Sequence, residues 1–203
     1  LDQGFRSMKI RVGSTNWKND VERVKEVRNA IGPDIELMAD INQALEPKQA
    51  IQLGKKLEEY DLLWLEEPVA SNNREGHAEV RNSLSIPIAS GENEYSLSGM
   101  REMIEAKACD ILMPDLQRIG GISEMRKVAN LAESHNLPIS THIFTEHSLS
   151  VAGSVTNCLS VEHMPWFSKL FNEQIYVING YIDIPERPGT GFTFNESYIK
   201  LIN

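Results

Sequence analysis

Three evenly spaced acidic residues could bind a divalent cation. Asp40, Glu66 and Glu92 follow one another at intervals of 26 residues, and each closes a short apolar run (IELMAD, LLWLE and IPIASGE). Carboxylates that are brought together repel one another unless a cation lies between them. Mg²⁺ is a hard cation that prefers oxygen ligands, and Mn²⁺ often substitutes for it. The spacing therefore predicts a Mg²⁺ site, or a Mn²⁺ site in its place.

The same spacing indicates how the chain brings these carboxylates together. Amphipathic helical patterns lie between the apolar runs, and a strand–helix unit of this length repeats in barrels of parallel strands wrapped by helices. In such a barrel the C-terminal ends of all strands meet at one face, where active sites are built. We therefore predict an α/β fold of the (β/α)8 TIM-barrel type.

The strand–helix repeat can be followed along the chain for seven strands, not eight. The predicted strands cover residues 7–13, 35–41, 62–66, 86–90, 109–115, 137–142 and 158–163. Asn19 or Asp20 is expected to cap the first helix, and the tail is expected to form a helical turn and short strand pairs. A closed barrel usually needs about 250 residues. The chain has 203, so we predict one partial barrel domain, 1–203, that lacks the first strand–helix unit.

Side-chain alternation along the predicted strands supports an inward orientation of the three carboxylates. Each carboxylate shares a strand face with the residue two positions earlier, and the neighbouring position of opposite parity is apolar, as contact with a helix requires. The expected inward neighbours are Met38, Trp64 and Ser90, and the expected outward residues are Ala39, Leu65 and Ala89.

Asp115 and His142 end the next two predicted strands. Adjacent parallel strands would place the carboxylate beside the imidazole, which fixes the tautomer of the ring and raises its basicity. A single histidine is usually structural, but one at the end of a barrel strand beside a metal site is predicted to be catalytic. The remaining histidines are expected to be structural or solvated: His77, His135, His147 and His163.

Three further charged residues lie on the first and last predicted strands. Lys9 and Arg11 both point inward by parity, where they could contact a substrate carboxylate or flank the proton that is moved. The alternative is that they are surface residues of an edge strand. Glu162 ends the last strand and could donate a hydrogen bond to a substrate oxygen, or it could be an ordinary carboxylate of the rim.

The composition excludes some classes of binding partner, and the cysteines indicate the cellular compartment. A net charge of −9 with no basic block argues against nucleic acid and against an anionic membrane as partners. Cys109 and Cys158 have no CxxC or Cys/His spacing, so we expect free thiols in a reducing cytoplasm. No apolar run is long enough for a membrane span, and the first residues do not resemble a signal peptide.

Several motifs together resemble the enolase superfamily, and within it the mandelate racemase group of acid-sugar dehydratases and racemases. They are MKIRVG, ADINQ, WLEEP, SGENE, MPDLQRIGG, STHIF and VEHMPW, in the order found in the family. The resemblance implies that the three spaced carboxylates bind Mg²⁺ and that Asp115 and His142 form a general-base dyad. It also implies that Glu162 acts as an acid or hydrogen-bond donor, that the substrate is a small carboxylate such as a sugar acid, and that the protein is a homo-oligomer.

The resemblance also implies a reaction. A proton next to a carboxylate is very weakly acidic, and a divalent metal with lysine or arginine beside the same oxygens neutralises the charge that its removal creates. His142 would take the proton; reprotonation on the opposite face gives racemisation, and loss of a β-hydroxyl gives dehydration. The family commonly has a second lysine where this chain has Arg11, and arginine is a poor base. We therefore expect an acid-sugar dehydratase.

Two alternatives to the dehydratase stay open at this point. One is a racemase or epimerase of a hydroxy acid on the same scaffold. The other is a catalytically incomplete barrel that keeps the metal site, because family members carry an α+β capping domain before the barrel and nothing in residues 1–203 corresponds to it.

Overall fold

The computed structural model describes residues 2–199, in which seven parallel strands alternate with helices. The strands are β1 (Ser7–Arg11), β2 (Glu36–Asp40), β3 (Leu62–Glu66), β4 (Ile88–Ser90), β5 (Ile111–Leu112), β6 (Ile139–Thr141) and β7 (Cys158–Val161). They lie side by side in chain order, and each pairs in parallel with the next. This arrangement confirms the predicted barrel-type α/β fold with seven strands.

The helices fill the connections between the strands. They are α1 (Trp17–Ile31), α2 (Pro47–Leu57), α3 (Arg74–Ser83), α4 (Ser96–Glu105), α5 (Leu116–Ile119), α6 (Ile122–Ser134) and α7 (Thr145–Ala152), with 3₁₀ turns at Glu58–Tyr60 and Pro165–Leu170. Helix α2 has a well-defined start, because Pro47 occupies its first turn and the side chains of Glu46 and Gln49 form a capping box. Each helix returns the chain to the start of the next parallel strand, so that all strand C-termini reach one face.

The predicted cap of α1 was wrong. The helix begins at Trp17, with Asn16 at the N-cap position and no side-chain cap. Asp20 instead lies buried in the first turn, where its carboxylate accepts hydrogen bonds from the backbone N–H groups of Gly13 and Ser14. The carboxylate therefore anchors the loop that follows β1 rather than capping the start of α1.

Side chains, and not a ladder of backbone hydrogen bonds, connect β1 and β7 in the part of the chain that the structure describes. Lys9 Nζ lies 2.8 Å from Glu162 Oε1 across this gap. The ring of Phe5 stacks on that of His163, with 6.2 Å between their centroids. Both contacts lie near the face where the strands end, so the gap is bridged beside the predicted site.

Apolar side chains form three buried clusters. Two lie between the sheet and its helices, one around Leu37, Leu53 and Leu65, and the other around Leu112 and Met125. The third fills the inside of the curved sheet and consists of Met38, Trp64, Ala89, Ile111 and Met113. The inner cluster supports the predicted alternation on β2 and β3, where Met38 and Trp64 share the inner face with Asp40 and Glu66.

The alternation predicted for β4 was wrong. Ala89 belongs to the inner cluster, whereas Ser90 points outward and its hydroxyl lies 3.1 Å from His77 Nε2 on α3. The strand ends at Ser90, and Gly91 follows with a φ of 132°, which favours glycine. Because the chain turns at Gly91, the orientation of Glu92 no longer follows the period of the strand.

The segment after β7 contains a 3₁₀ turn and isolated antiparallel bridges rather than regular strands. Phe171 pairs with Phe194, and Ile178 pairs with Tyr181. The rings of Phe171 and Phe194 also stack, with centroids 5.4 Å apart. The expected helical turn and short pairings are therefore present. No helix within residues 2–199 combines the length and the apolar character needed to cross a membrane.

Both cysteines are free thiols, as predicted. Burial raises the pKa of Cys109 to about 12 and that of Cys158 to about 11.

The thiolate is the reactive form of a cysteine, so we expect neither Cys109 nor Cys158 to react readily with a maleimide at pH 8 in the folded chain. Both should be labelled in concentrated guanidinium chloride, as mass spectrometry would show. Rapid labelling of folded Cys109 would contradict this packing.

Candidate active site

The C-terminal ends of the strands surround a cavity of about 340 Å³. Its lining includes six of the predicted site residues: Lys9, Arg11, Asp40, Glu92, His142 and Glu162. The other two, Glu66 and Asp115, are fully buried. The strand order therefore brings together side chains that lie up to 153 residues apart in sequence, Lys9 and Glu162.

The three predicted metal ligands are all buried, and each has its own partners. The carboxylate of Asp40 lies 3.4 Å from Arg11 Nη2 and accepts a hydrogen bond from the backbone N–H of Asn42. Glu66 accepts from Lys9 Nζ at 2.6 Å and from the indole N–H of Trp64 at 2.9 Å. Buried carboxylates require such partners, because an unpaired buried charge is costly.

Glu92 has basic partners on both sides. Its Oε2 lies 3.2 Å from His142 Nε2, and its Oε1 lies 3.4 Å from Arg118 Nη1. The Arg118 guanidinium also donates to the backbone carbonyl of Glu92 at 2.9 Å. The position of this carboxylate is therefore fixed by α5, which carries Arg118, as well as by its own loop.

The donor chemistry of these three carboxylates fits Mg²⁺. All three present only oxygen atoms, and they follow adjacent strands at the same end of the sheet. In the described residues, however, no three His, Cys, Asp or Glu side chains lie close enough together to hold a metal ion as they stand. Their present partners are Lys9, Arg11, Arg118 and His142, so a shared cation would require the carboxylates to turn from these groups. The ligand assignment therefore stays a prediction.

Burial dominates the electrostatics of the Lys9–Glu66 pair. Burial raises the pKa of Glu66 to about 7; Lys9 partly offsets this effect, and the nearby charge of Asp40 adds to it. Burial alone would lower the pKa of Lys9, but the carboxylates of Glu66 and Glu162 raise it above its usual range. Lys9 is therefore a fixed positive charge in the site near neutral pH and not a base.

Asp115 and His142 form the predicted pair. A parallel bridge joins their backbones, and Nδ1 of His142 lies 2.7 Å from Asp115 Oδ2. A carboxylate can only accept, so this contact assigns the Nδ1 proton and leaves Nε2 directed at the cavity. Asp115 Oδ1 meanwhile accepts from the backbone N–H groups of Gln117 and Arg118, which holds the carboxylate in place.

The pKa values of the pair move apart. Burial would lower the pKa of His142, but the hydrogen bond that the ring donates to Asp115 and the nearby charges of Glu92 and Glu162 raise it above its usual value. Burial would raise the pKa of Asp115, but its contacts with His142 lower it. The imidazole is thus a stronger base than a solvated histidine, and the aspartate stays ionised.

Arg11 and Glu162 differ in how firmly they are held. The side chain of Arg11 is 61% exposed, and its ion pair with Asp40 lies at the mouth of the cavity. Glu162 bridges Lys9 and the backbone N–H of Ile143, and its Oε2 lies 4.0 Å from His142 Nε2. Glu162 is therefore part of the charged lining, whereas Arg11 is accessible from solvent.

The family model described as enolase C-terminal domain-like matches residues 1–198. The chain belongs to this enolase C-terminal domain-like family. Its strand order and its charged strand ends are those of the barrel that the sequence predicted.

Relatives of this enolase C-terminal domain-like chain include two curated proteins. L-Talarate/galactarate dehydratase of Salmonella typhimurium is 36% identical over 195 residues, which cover 96% of this chain and 49% of the relative. D-Xylonate dehydratase of Haloferax volcanii is 37% identical over 184 residues, which cover 86% and 45%. The chain thus spans about half the length of these relatives.

A solved structure shares the fold. L-Talarate dehydratase from Polaromonas sp. JS666, complexed with Mg and L-glucarate, superposes with a TM-score of 0.93 at 35% sequence identity. The superposition covers 96% of this chain and 54% of that chain. The enolase C-terminal domain-like fold therefore extends over nearly all of the chain.

Sequence reasoning missed three side chains beside the predicted ligands: Glu67, Asn93 and Arg118. Burial, reinforced by the charge of Glu92, raises the pKa of Glu67 to about 7. Asn93 donates to this carboxylate, and Arg118 contacts both Asn93 and Glu92. For two of them the sequence of this enolase C-terminal domain-like chain did contain a signal, because Glu67 and Asn93 each directly follow a predicted ligand.

The backbone after His142 is strained. Ile143 and Phe144 have φ values of 31° and 49°, in a region of backbone conformation that residues other than glycine rarely adopt. The N–H of Ile143 donates to Glu162, and the ring of Phe144 stacks on Phe167 with centroids 4.4 Å apart. Such strain persists where surrounding contacts determine the conformation, and here it orients the loop that carries the imidazole.

Proposed function

We propose that this chain is the metal-binding barrel part of an acid-sugar dehydratase. His142 would remove the proton next to the carboxylate of a sugar acid, and the β-hydroxyl would then leave as water. The observation that carries this proposal is the Asp115–His142 pair, which directs Nε2 of a strengthened base, here in contact with Glu92, into a cavity that also contains Lys9. The names of the two dehydratase relatives support the same class of reaction.

The chain's own groups can support each proton transfer. Asp115 accepts from Nδ1 and stabilises the imidazolium that forms when Nε2 takes the α-proton. The same imidazolium can return this proton to the departing hydroxyl, which leaves an enol that becomes a 2-keto acid. One base on one face is sufficient for this elimination.

Charge that develops on the substrate carboxylate needs compensation within a partly buried site. Mg²⁺ held by Asp40, Glu66 and Glu92 would act as a Lewis acid toward that carboxylate. Lys9 supplies a permanent positive charge in the same cavity, and Glu162 holds it in place. Arg11 lies at the mouth, where its guanidinium can contact the outer part of an anionic substrate.

Among the described residues, the charged groups of β1 offer no suitable second base, which favours dehydration over racemisation. Racemisation needs a base on the face opposite His142, and the cationic groups of β1 are poor candidates. Lys9 is bound to two carboxylates that keep it protonated, and arginine keeps its proton at ordinary pH. The racemase or epimerase is therefore the second candidate function.

Incubation in D₂O distinguishes the candidate functions. We expect the chain with Mg²⁺ to convert a sugar acid such as galactarate or D-xylonate into a 2-keto acid, which NMR detects directly. The acids are chosen from the names of the relatives. Deuterium at the α-carbon without loss of water would support the racemase or epimerase instead. Mg²⁺ binding with neither product would support a catalytically incomplete barrel.

A further inference from the structure

One polar cluster joins the three loops that carry the predicted metal ligands. Its members are Gln43, Glu67 and Asn93, which we call the amide–carboxylate cluster. Gln43 lies three residues after Asp40, Glu67 directly follows Glu66, and Asn93 directly follows Glu92. None of the three is a predicted ligand, yet each belongs to the loop of one.

The carboxylate of Glu67 lies at the centre of this cluster. Asn93 Nδ2 donates to both of its oxygens, at 2.9 and 3.1 Å, and Gln43 Nε2 donates to Oε2 at 3.2 Å. The backbone N–H of Gln43 also donates to the carbonyl of Glu67 at 2.8 Å. The loops after β2, β3 and β4 are therefore tied to a single carboxylate.

Gln43 and Asn93 also form hydrogen bonds with residues outside the cluster, and these bonds fix the orientation of their side-chain amides. Gln43 Oε1 accepts from the backbone N–H of Ser71 at 2.8 Å, so its amide has a determined orientation. Asn93 Nδ2 lies 3.4 Å from Glu92 Oε1, and Asn93 Oδ1 accepts from Arg118 Nη1 at 3.3 Å. Each amide thus contacts the carboxylate on one side and a fixed group on the other.

Burial and backbone geometry show that the arrangement is constrained. Glu67 is fully buried, and within residues 2–199 no lysine, arginine or histidine forms an ion pair with it. A buried carboxylate that relies on neutral amide donors is costly. Glu67 and Gln43 also have left-handed φ values of 40° and 65°. Strain of this kind concentrates at functional sites.

We propose that Glu67 is a positioning residue that, through Asn93 and Gln43, holds the ligand loops of Glu92 and Asp40 in the arrangement that binds the divalent cation. The inference rests on the proposed function, because it concerns the metal site of the same reaction. Groups that orient metal ligands typically change metal affinity by 10- to 100-fold when they are removed.

The test uses Mg²⁺ titration calorimetry on the chain, with Mn²⁺ measured by EPR as a second probe. We expect Glu67→Gln to weaken binding by about 10- to 100-fold. In this variant an NH₂ group replaces one oxygen of the carboxylate. It would face side-chain amides of Asn93 and Gln43 that are themselves hydrogen-bond donors, so a donor would meet a donor. In Glu67→Gln/Asn93→Asp the polarity of the contact is reversed, and we expect most of the affinity to return. A loss of affinity that does not depend on this contact would not be rescued in this way.

Matched variants separate positioning from loss of fold. Asp20→Asn changes a carboxylate of comparable burial whose partners lie in the loop after β1 and on α1, and not in the cluster. It should lower the melting temperature without changing Mg²⁺ affinity. If Glu67→Gln does not fold, Asn93→Ala removes the same contact and should weaken binding in the same range.

The outcomes also separate this proposal from the proposed function. Wild-type affinity in a folded Glu67→Gln chain, or no recovery in the reversed pair, would overturn the positioning role alone. Failure of the wild-type chain to bind Mg²⁺ or Mn²⁺ would overturn the metal site and, with it, this proposal.

Discussion

Substitution of His142 by alanine is expected to slow exchange of the substrate α-proton by about 10²- to 10⁴-fold, the range that a positioned general base contributes. The physical reason is that Nε2 is the nitrogen directed at the cavity, while Nδ1 is bound to Asp115 at 2.7 Å. Mg²⁺ affinity should change little, because the imidazole is not one of the three predicted ligands. Loss of the α-proton NMR signal in D₂O measures the rate, and calorimetry measures the affinity.

The control for this substitution is His135→Ala. His135 is exposed and lies between the end of α6 and the start of β6, at the opposite end of the strand from His142, so its removal should leave the exchange rate unchanged. Exchange at the wild-type rate in His142→Ala would rule out His142 as the base. A rate loss accompanied by an equal loss of Mg²⁺ affinity would instead point to a ligand or structural role.

Substitution of Lys9 by methionine is expected to lower the free energy of unfolding of the metal-free chain by about 3–5 kcal/mol near pH 8, the usual effect of breaking a buried ion pair. Lys9 Nζ lies 2.6 Å from Glu66 and 2.8 Å from Glu162, and Glu66 is fully buried. Methionine fills similar space but leaves this carboxylate with the Trp64 indole as its remaining donor. Urea unfolding with and without Mg²⁺ measures the effect.

The loss should depend on pH through Glu66. Its pKa in the folded chain is about 7, above its ordinary value of 4.5, so the folded state binds the proton more tightly and stability falls as pH rises from about 4.5 to 7. Without Lys9 this pKa rises further, so the variant should lose more stability at pH 8 than at pH 5. The pKa of Lys9 is raised, and its own contribution is lost only at strongly alkaline pH.

Turnover should fall together with stability in Lys9→Met. Removal of one preorganised charge-stabilising group commonly costs about 10²- to 10³-fold in rate. Lys9→Arg is the matched control, since it keeps the charge and should retain most of the stability. A loss of stability that is the same at pH 5 and pH 8 would contradict the assigned role of Glu66.

The sequence was sufficient for features that depend on periodicity and on strand ends. Equal spacing of Asp40, Glu66 and Glu92 predicted parallel strands that end at one face, and all three carboxylates lie buried at that face. Position alone predicted that Asp115 and His142 would meet, because adjacent parallel strands bring their ends together. These predictions succeeded because the alternation and direction of strands are local properties that propagate through regular pairing.

Sequence reasoning failed where the chain leaves regular structure. The alternation predicted for β4 did not hold because Gly91 turns the chain after Ser90, and the cap of α1 was misplaced because Asp20 serves the neighbouring loop. The amide–carboxylate cluster was missed for the same reason. Its members lie on three loops, and their contacts depend on side-chain orientation and not on a period.

The sequence by itself therefore determined the order of the strands, the face on which the charged residues gather, and the pairing of Asp115 with His142. Only the tertiary structure decided which charge faces which: that Lys9 binds both Glu66 and Glu162, that Arg11 is exposed, and that neutral amides surround Glu67. Hydrogen bonds and ion pairs act over about 3 Å. At that range, loop conformation and burial select among partners that strand order merely brings near.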